Sequence, residues 1–404
     1  MRRIRAALAI LRSQGLGALL RRVGERLGGR RSVRPSLVRY DDALAVDWSV
    51  RHPAVTRPRK VGTGPLTVAW IMSPPGETSG GHQNIYRFIS YLEEAGHRVR
   101  IYLYSANLNV SAKSVRTMTA SSSAFAMNAA SVEQYSAEGV ADDVDAIFAT
   151  GWETAYPAYR DSSRARRLYF VQDFEPYFYA VGTESVLAEN TYRFGFAAIT
   201  AGRWLAHKLS AEYGMTTRSY EFAADREHYN LLNTGRRNEV FFYARPGTER
   251  RGFELGLMAL DLFSRERPDY TINMAGWDVS EYTIPFRYRN LGSMPINKLN
   301  EVYNRCAVGL VLSMTNMSLL PLELLAAGVI PVVNDGENNV QVADNPYIEY
   351  SPASPRALAD RLIAVVDRED LPAHARDAAD SLDGGGWAKS GEQFVNAFES
   401  VMRG

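Results

Sequence analysis

The sequence predicts an α/β protein of two consecutive domains, each built on a doubly wound parallel sheet, and three observations carry that prediction. The chain has 404 residues, more than one ordinary core accommodates. Residues 66–104 read as strand, glycine-rich loop, helix and strand, the βαβ unit that gives a parallel sheet. After a break in periodicity near 222–238, a second alternation of the same kind begins at Val240. Two such domains should face each other across a cleft.

In chain order, residues 1–35 form a basic amphipathic segment and 36–64 a proline-bearing tether. The first domain, 65–225, opens with the apolar run Leu66–Met72. A Pro/Gly-rich loop, 73–82, leads into Ile85, Phe88, Ile89 and Leu92 at helical spacing. Gly96 ends that helix, and Val99–Tyr104 is the next strand. Ala146–Thr150, Arg167–Val171 and Ala197–Thr200 are further short strands, with helical stretches between them and a helix at Trp204–Tyr213. The second domain, 226–385, starts with strand Val240–Tyr243 and helix Phe253–Ser264. Strand Tyr270–Ala275, helix Asn297–Cys306, strand Val308–Leu312, helix Pro321–Ala327 and strand Val329–Val333 follow, then a helix at Pro355–Val366. Residues 386–404 carry a last helix.

A net charge of +1 hides an asymmetry. Residues 1–35 hold ten arginines and one acid, Glu25, so this segment is +9 and the rest of the chain −8. Ile4, Leu8, Leu11, Leu16, Leu19, Leu20, Val23 and Leu27 lie between the arginines at mostly helical spacing. Such a helix can bury its apolar side at a bilayer while its arginines meet lipid phosphates. The expectation is therefore peripheral attachment to an anionic membrane surface from the cytoplasmic side. A signal peptide fits less well, because Arg12 breaks a short apolar run and no small-residue cleavage site follows. Packing on the protein's own surface is the other use of such a helix, and Gly15 and Gly17 weaken it by roughly 1 kcal/mol each. No run approaches the roughly 20 apolar residues of a membrane span. The arginines have no interleaved aromatics, so no nucleic-acid partner is expected. The single cysteine, Cys306, lies in an apolar stretch; it fits a reducing compartment and is assigned no chemistry.

In open parallel sheets ligands bind beyond the carboxyl ends of the strands, so the loops after strands are the informative ones. Gly80, Gly81 and His82 follow the first strand; adjacent glycines let backbone N–H groups approach an oxygen-rich ligand at a helix start, although such a pair also makes a simple turn. Asp173 and Glu175 follow another strand, with Tyr177 and Tyr179 beside them. Carboxylates among aromatics can orient sugar hydroxyls or accept a proton, and they can equally cap a helix. Arg245, Arg250 and Arg251 lie in a glycine-containing strand-to-helix loop suited to a diphosphate, without the Gly-Lys-Ser/Thr of a Walker loop. Ser318, Leu319 and Leu320 precede Pro321, where free N–H groups could hold a phosphate or sugar oxygen. Glu323, in the first turn, either reaches a ribose or only complements the helix dipole.

Taken together, these segments resemble the retaining GT-B glycosyltransferases of family 4, over roughly residues 66–400. The specific part is 289–333: a Leu-Gly turn, a helix, a strand, then Leu-Pro and the run "ELLAAG" leading into Pro-Val-Val. "ARPGTERRG" is similar to the family's diphosphate loop, with Arg250 or Arg251 in place of its lysine, and "TSGGH" to its amino-terminal loop. The resemblance implies two Rossmann-like domains around a central cleft, preceded here by the basic helical extension. It implies Glu323 as the ribose contact. The family's first acid should stand eight residues earlier, at a position occupied here by Thr315. That loss, with "VQDFEP", is similar to bacterial rhamnosyltransferases that use dTDP-L-rhamnose. By that resemblance Asp173 is the active-site carboxylate, and Arg245 and Lys298 contact the donor nucleotide.

The reaction so implied is metal-independent transfer of a hexosyl group, L-rhamnosyl by the subgroup resemblance, to a glycan or lipid-linked glycan with retention. Arginines and a helix start would replace a metal at the departing diphosphate, no cofactor being needed. Asp173 would steady the positive charge at the anomeric carbon or take the acceptor proton. A UDP- or GDP-sugar donor, a sugar-nucleotide 2-epimerase and a non-catalytic glycan-binding scaffold are the alternatives.

Overall fold

The computed structural model describes residues 37–49, 58–76, 79–108, 110–122, 124–126, 128–382 and 385–404. The basic segment 1–35, and with it the expected membrane contact, lies outside them. Among the described residues no helix is long and apolar enough to cross a membrane.

The short helix α1 (Tyr40–Leu44) lies against the first domain, where Tyr104 Oη donates to Asp42 Oδ2 at 2.6 Å. The first domain holds β1 (Thr67–Met72), α2 (Gly80–Glu94), β2 (Arg98–Leu103), α3 (Ala112–Ser121), β3 (Ser131–Gln134), β4 (Ala146–Ala149) and α4 (Trp152–Arg160). It continues with β5 (Arg166–Val171), a 3-10 turn at Glu175–Phe178, α5 (Thr183–Thr191), β6 (Ala197–Ala201), α6 (Arg203–Tyr213) and β7 (Thr217–Tyr220). Its sheet is parallel with order β3-β2-β1-β4-β5-β6-β7. The order reverses between β1 and β4, where a doubly wound sheet opens its ligand crevice.

The second domain holds β8 (Glu239–Tyr243), α7 (Phe253–Glu266), β9 (Thr271–Ala275), β10 (Tyr288–Gly292), α8 (Ile296–Tyr303), β11 (Cys306–Val311) and α9 (Leu320–Ala326). Then come β12 (Ile330–Asn334), α10 (Glu337–Val340), β13 (Glu349–Ser351), α11 (Pro355–Val366) and α12 (Leu371–Asp380). This sheet too is parallel, in the order β10-β9-β8-β11-β12-β13, reversing between β8 and β11. The arrangement is the GT-B fold expected from the resemblance.

Central strands are buried along their whole length because helices cover both faces: β1, β4 and β11 have no exposed residue. Two apolar cores result, one per sheet. The last helix, α13 (Gly386–Arg403), returns to the first core and adds Phe394, Phe398, Val401 and Met402 to it. The chain therefore crosses between domains twice, and the crossings are strapped together. Ser390 Oγ donates to the Glu221 carbonyl at 2.7 Å and Glu221 N to Gln393 Oε1 at 2.8 Å. Phe222 and Val342 pack against both cores.

Candidate active site

The carboxyl ends of the two sheets meet at Asp173. The residue follows β5 directly, and the 3-10 turn behind it, with Pro176 inside, fixes its direction. Asp173 is buried, and donors surround its carboxylate. Oδ1 accepts from its neighbour's Phe174 N at 2.8 Å and from Asn316 N at 2.8 Å; Oδ2 accepts from Thr315 Oγ1 at 3.0 Å. Arg250 Nε stands 3.5 Å from Oδ2. That N–H is buried with no aligned acceptor, so the contact is ionic and not a hydrogen bond. The guanidinium lies over the Phe178 ring at 3.9 Å, within cation–π range.

Thr315 and Asn316 belong to the turn after β11, at the switch point of the second sheet. Its shape is set by Ser313, whose carbonyl accepts from Asn334, Asn338 and Asn339 Nδ2 at 2.9, 3.0 and 3.1 Å. Ser313 Oγ donates to the Asn316 carbonyl at 2.8 Å and accepts from Arg251 Nη1 at 2.7 Å. Met314 N donates to the Arg250 carbonyl at 2.9 Å, which joins this turn to the arginine loop. Between that loop and α7 stands Gly252 at φ +57, where a Cβ would meet Met314 Cε at 3.0 Å. Only glycine takes this turn without strain.

The donor-side residues predicted from sequence fall into two sets. Arg250 and Arg251 join Asp173 and Ser313 as above. Arg245 Nη1 donates to Tyr243 Oη at 3.2 Å, and its guanidinium is 5.8 Å from the half-exposed Trp277 ring. Helix α9 begins at Leu320, one residue before the expected Pro321, so Leu319 is its cap and Leu320 its first residue. Ser318 Oγ is buried and has no hydrogen-bond partner among the described residues. Glu323 receives Tyr303 Oη at 3.4 Å, and burial pushes its carboxyl up to about 7, Tyr303 opposing. Lys298 is not drawn into this group: its Nζ pairs with Glu301 at 2.9 Å on the exposed side of α8.

On the first-domain side, His82 shapes the loop that carries it. Nδ1 lies 2.7 Å from Ser79 Oγ and Nε2 3.1 Å from the Ser73 carbonyl, while burial lowers the imidazole and favours its neutral form. Gly81 touches the Asp173 segment through its carbonyl, which accepts from Gln172 Nε2 at 3.1 Å; around Gly80 there is open space. Glu175 is engaged within its own domain: Oε2 accepts from Trp152 N at 2.5 Å, at the start of α4, and from Tyr169 Oη at 3.0 Å. Burial first and the nearby Glu153 second push its carboxyl well above the ordinary range. Capping, the alternative reading of this acid, is thus what it does for α4. Tyr179 Oη accepts from Trp152 Nε1 at 3.0 Å, whereas Tyr177 is half exposed against Phe174.

Sequence reasoning missed Asn316, Phe178, Trp277 and Glu153. Phe178 stands between the two tyrosines singled out, yet it is the ring under Arg250. The polar pair Thr315-Asn316 inside an apolar stretch was the available signal for Asn316, but its partner is 143 positions away. Among the described residues no three His, Cys, Asp or Glu side chains gather as a metal site. The arrangement sets two arginines and a hydrogen-bonding turn around a fixed carboxylate where the two sheet ends meet.

Comparison with known proteins identifies the family. Residues 77–201 match the family model described as WsaF, N-terminal domain, and residues 238–363 the one described as WsaF, C-terminal domain. The O-antigen biosynthesis protein RfbC of Myxococcus xanthus is 34% identical over 281 residues, 68% of this chain but 22% of that protein. The chain thus spans about a fifth of that relative's length. Anabaena Alr3699/HepE, solved with UDP-glucose, superposes with a TM-score of 0.62 at 13% identity, covering 83% of this chain and 100% of that one. WaaG, a glycosyltransferase involved in lipopolysaccharide biosynthesis, gives 0.57 at 11% identity over 81% and 98%. At such identities these two structures establish the fold alone.

Proposed function

The chain belongs to the WsaF family of GT-B glycosyltransferases, and from that premise we propose that it moves L-rhamnose from dTDP-L-rhamnose to a growing, lipid-linked surface polysaccharide, with retention and without a metal. The observation that supports this most is the meeting of Arg250 with Asp173, and of Arg251 with the Ser313 turn beside it, across the two sheet ends. Arg245, Arg250 and Arg251 would offset the diphosphate, with Ser318 and the start of α9 holding one of its oxygens. Glu323 would take the 3′-hydroxyl of the deoxyribose. Thr315, with Leu319 and Leu320 after it, is less polar than the family's acid, which suits a 6-deoxy sugar. Gly80, Gly81, His82, Tyr177 and Tyr179 would serve the acceptor. The polysaccharide acceptor is supported by the name of the Myxococcus relative, and residues 1–35 would hold the enzyme at an anionic membrane surface.

Of the two roles open to Asp173, its surroundings favour charge stabilisation. Three hydrogen bonds and one arginine already engage its two oxygens, leaving little lone-pair capacity for a proton. Held so, the carboxylate would face the positive charge that develops at the anomeric carbon.

A thermal-shift series with dTDP, UDP and GDP, without added metal, tests the reading. Ligand at a hundredfold over Kd adds about 2.7 kcal/mol and raises Tm. A shift selective for dTDP and lost in Arg245→Ala is expected. A shift with UDP or GDP instead would discard rhamnose, and no shift with any of the three would leave a glycan-binding scaffold.

A further inference from the structure

We propose that Thr315 and Asn316 are positioning residues, by which the donor-side domain orients Asp173 so that its carboxylate reaches working geometry only when the domains are closed. The inference rests on Asp173 being the active-site carboxylate.

Within its own domain Asp173 keeps one hydrogen bond, from Phe174 N; the other two and the arginine come from the opposite domain. Asn316 is more one-sided still. Its backbone N–H goes to Asp173 Oδ1, and its amide donates to the Gln172 and Ala201 carbonyls, both at 3.0 Å. Every donor it owns lands on the first domain, at the carboxyl ends of β5 and β6. Thr315 and Asn316 are both buried, so these bonds form in the absence of water. The three asparagines on the Ser313 carbonyl hold the turn to its own domain as one body. Separation of the domains would therefore withdraw both residues from Asp173 together.

The same geometry accounts for a hydroxyl at 315. An acid there would set a second carboxylate at hydrogen-bond distance from Asp173, and two such groups do not both ionise. Threonine supplies a donor to the charge instead.

Two measurements test this. Spin labels at Val186→Cys on α5 and Met258→Cys on α7, both exposed sites, report domain separation by pulsed electron resonance; the native Cys306 is buried. The unliganded parent should give one dominant short distance. Asn316→Asp, which replaces the amide donor with a carboxylate oxygen against the Gln172 and Ala201 carbonyls, should shift it to longer separations. Hydrolysis of dTDP-L-rhamnose, in which water takes the rhamnosyl group as dTDP departs, then reads positioning. Thr315→Val should lower turnover roughly ten- to hundredfold, the value of a hydrogen bond to a charge, with KM for donor unchanged. Thr315→Ser should restore it. An unchanged distance in Asn316→Asp, or parental turnover in Thr315→Val, would overturn the inference. Parental turnover in Asp173→Asn would overturn the reading beneath it.

Discussion

A carboxylate is defined by what already touches it, and Asp173 and Glu323 show the two extremes. Asp173 is ringed by donors. Replacing it by Asn substitutes an N–H2 for an oxygen facing Arg250, and turnover should fall about 100-fold or more while dTDP affinity changes little. Equal loss of both would remove its part in the chemistry. Glu323 has the opposite surroundings. Burial raises it first, Asp225 adds to that, and Tyr303, Arg87 and Tyr229 oppose. Its value of about 7 lies above the ordinary 4.5, so ionisation costs folding stability as pH rises between the two, and the cost is complete above 7. The deoxyribose 3′-hydroxyl donates to the ionised form. Affinity for dTDP should therefore rise from pH 6 to 8 and then level off, with this component absent in Glu323→Gln; calorimetric titration across that range measures it. Both acids were legible as polar residues at strand and helix ends. Their environments were not, because Thr315 meets Asp173 over a separation of 142 residues.

Among strands, legibility followed coverage. β1, β4, β5, β8 and β11 announced themselves as apolar runs because helices bury both of their faces. The four missed from sequence, β3, β7, β10 and β13, are the four sheet edges. They read Ser-Val-Glu-Gln, Thr-Arg-Ser-Tyr, Tyr-Arg-Asn-Leu-Gly and Glu-Tyr-Ser, short and half-solvated, with no periodicity that outweighs their polar content. Loops were least legible where a single residue sets their course, as at Gly252. Gly252→Val must place a side chain at φ +57, 3.0 Å from Met314 and 3.2 Å from Leu312. A loss of roughly 1–3 kcal/mol is expected from strain and overpacking. Arg250 and Arg251, immediately before it, should move with it. Calorimetry with and without dTDP would show both a lower Tm and a smaller ligand shift.

At the scale of the molecule, the terminal helix was predicted as a helix, but not that it would complete the first core. Phe394 lies among Trp70, Phe88, Phe148, Phe170 and Tyr220 with ring centroids 4.8–6.2 Å away. Phe394→Ala should cost the first domain roughly 3–5 kcal/mol. Scanning calorimetry should show the transition of that domain falling while dTDP still protects the other. The double crossing also bears on how the protein is made. Ordinarily the amino-terminal domain is finished first during synthesis. Here the second domain, contiguous in sequence, can close its core as it leaves the ribosome. The first must wait with one aromatic face of its sheet uncovered until residues 386–403 emerge, so the earlier-born half is the last to be completed, and it is the half that nascent-chain chaperones should hold.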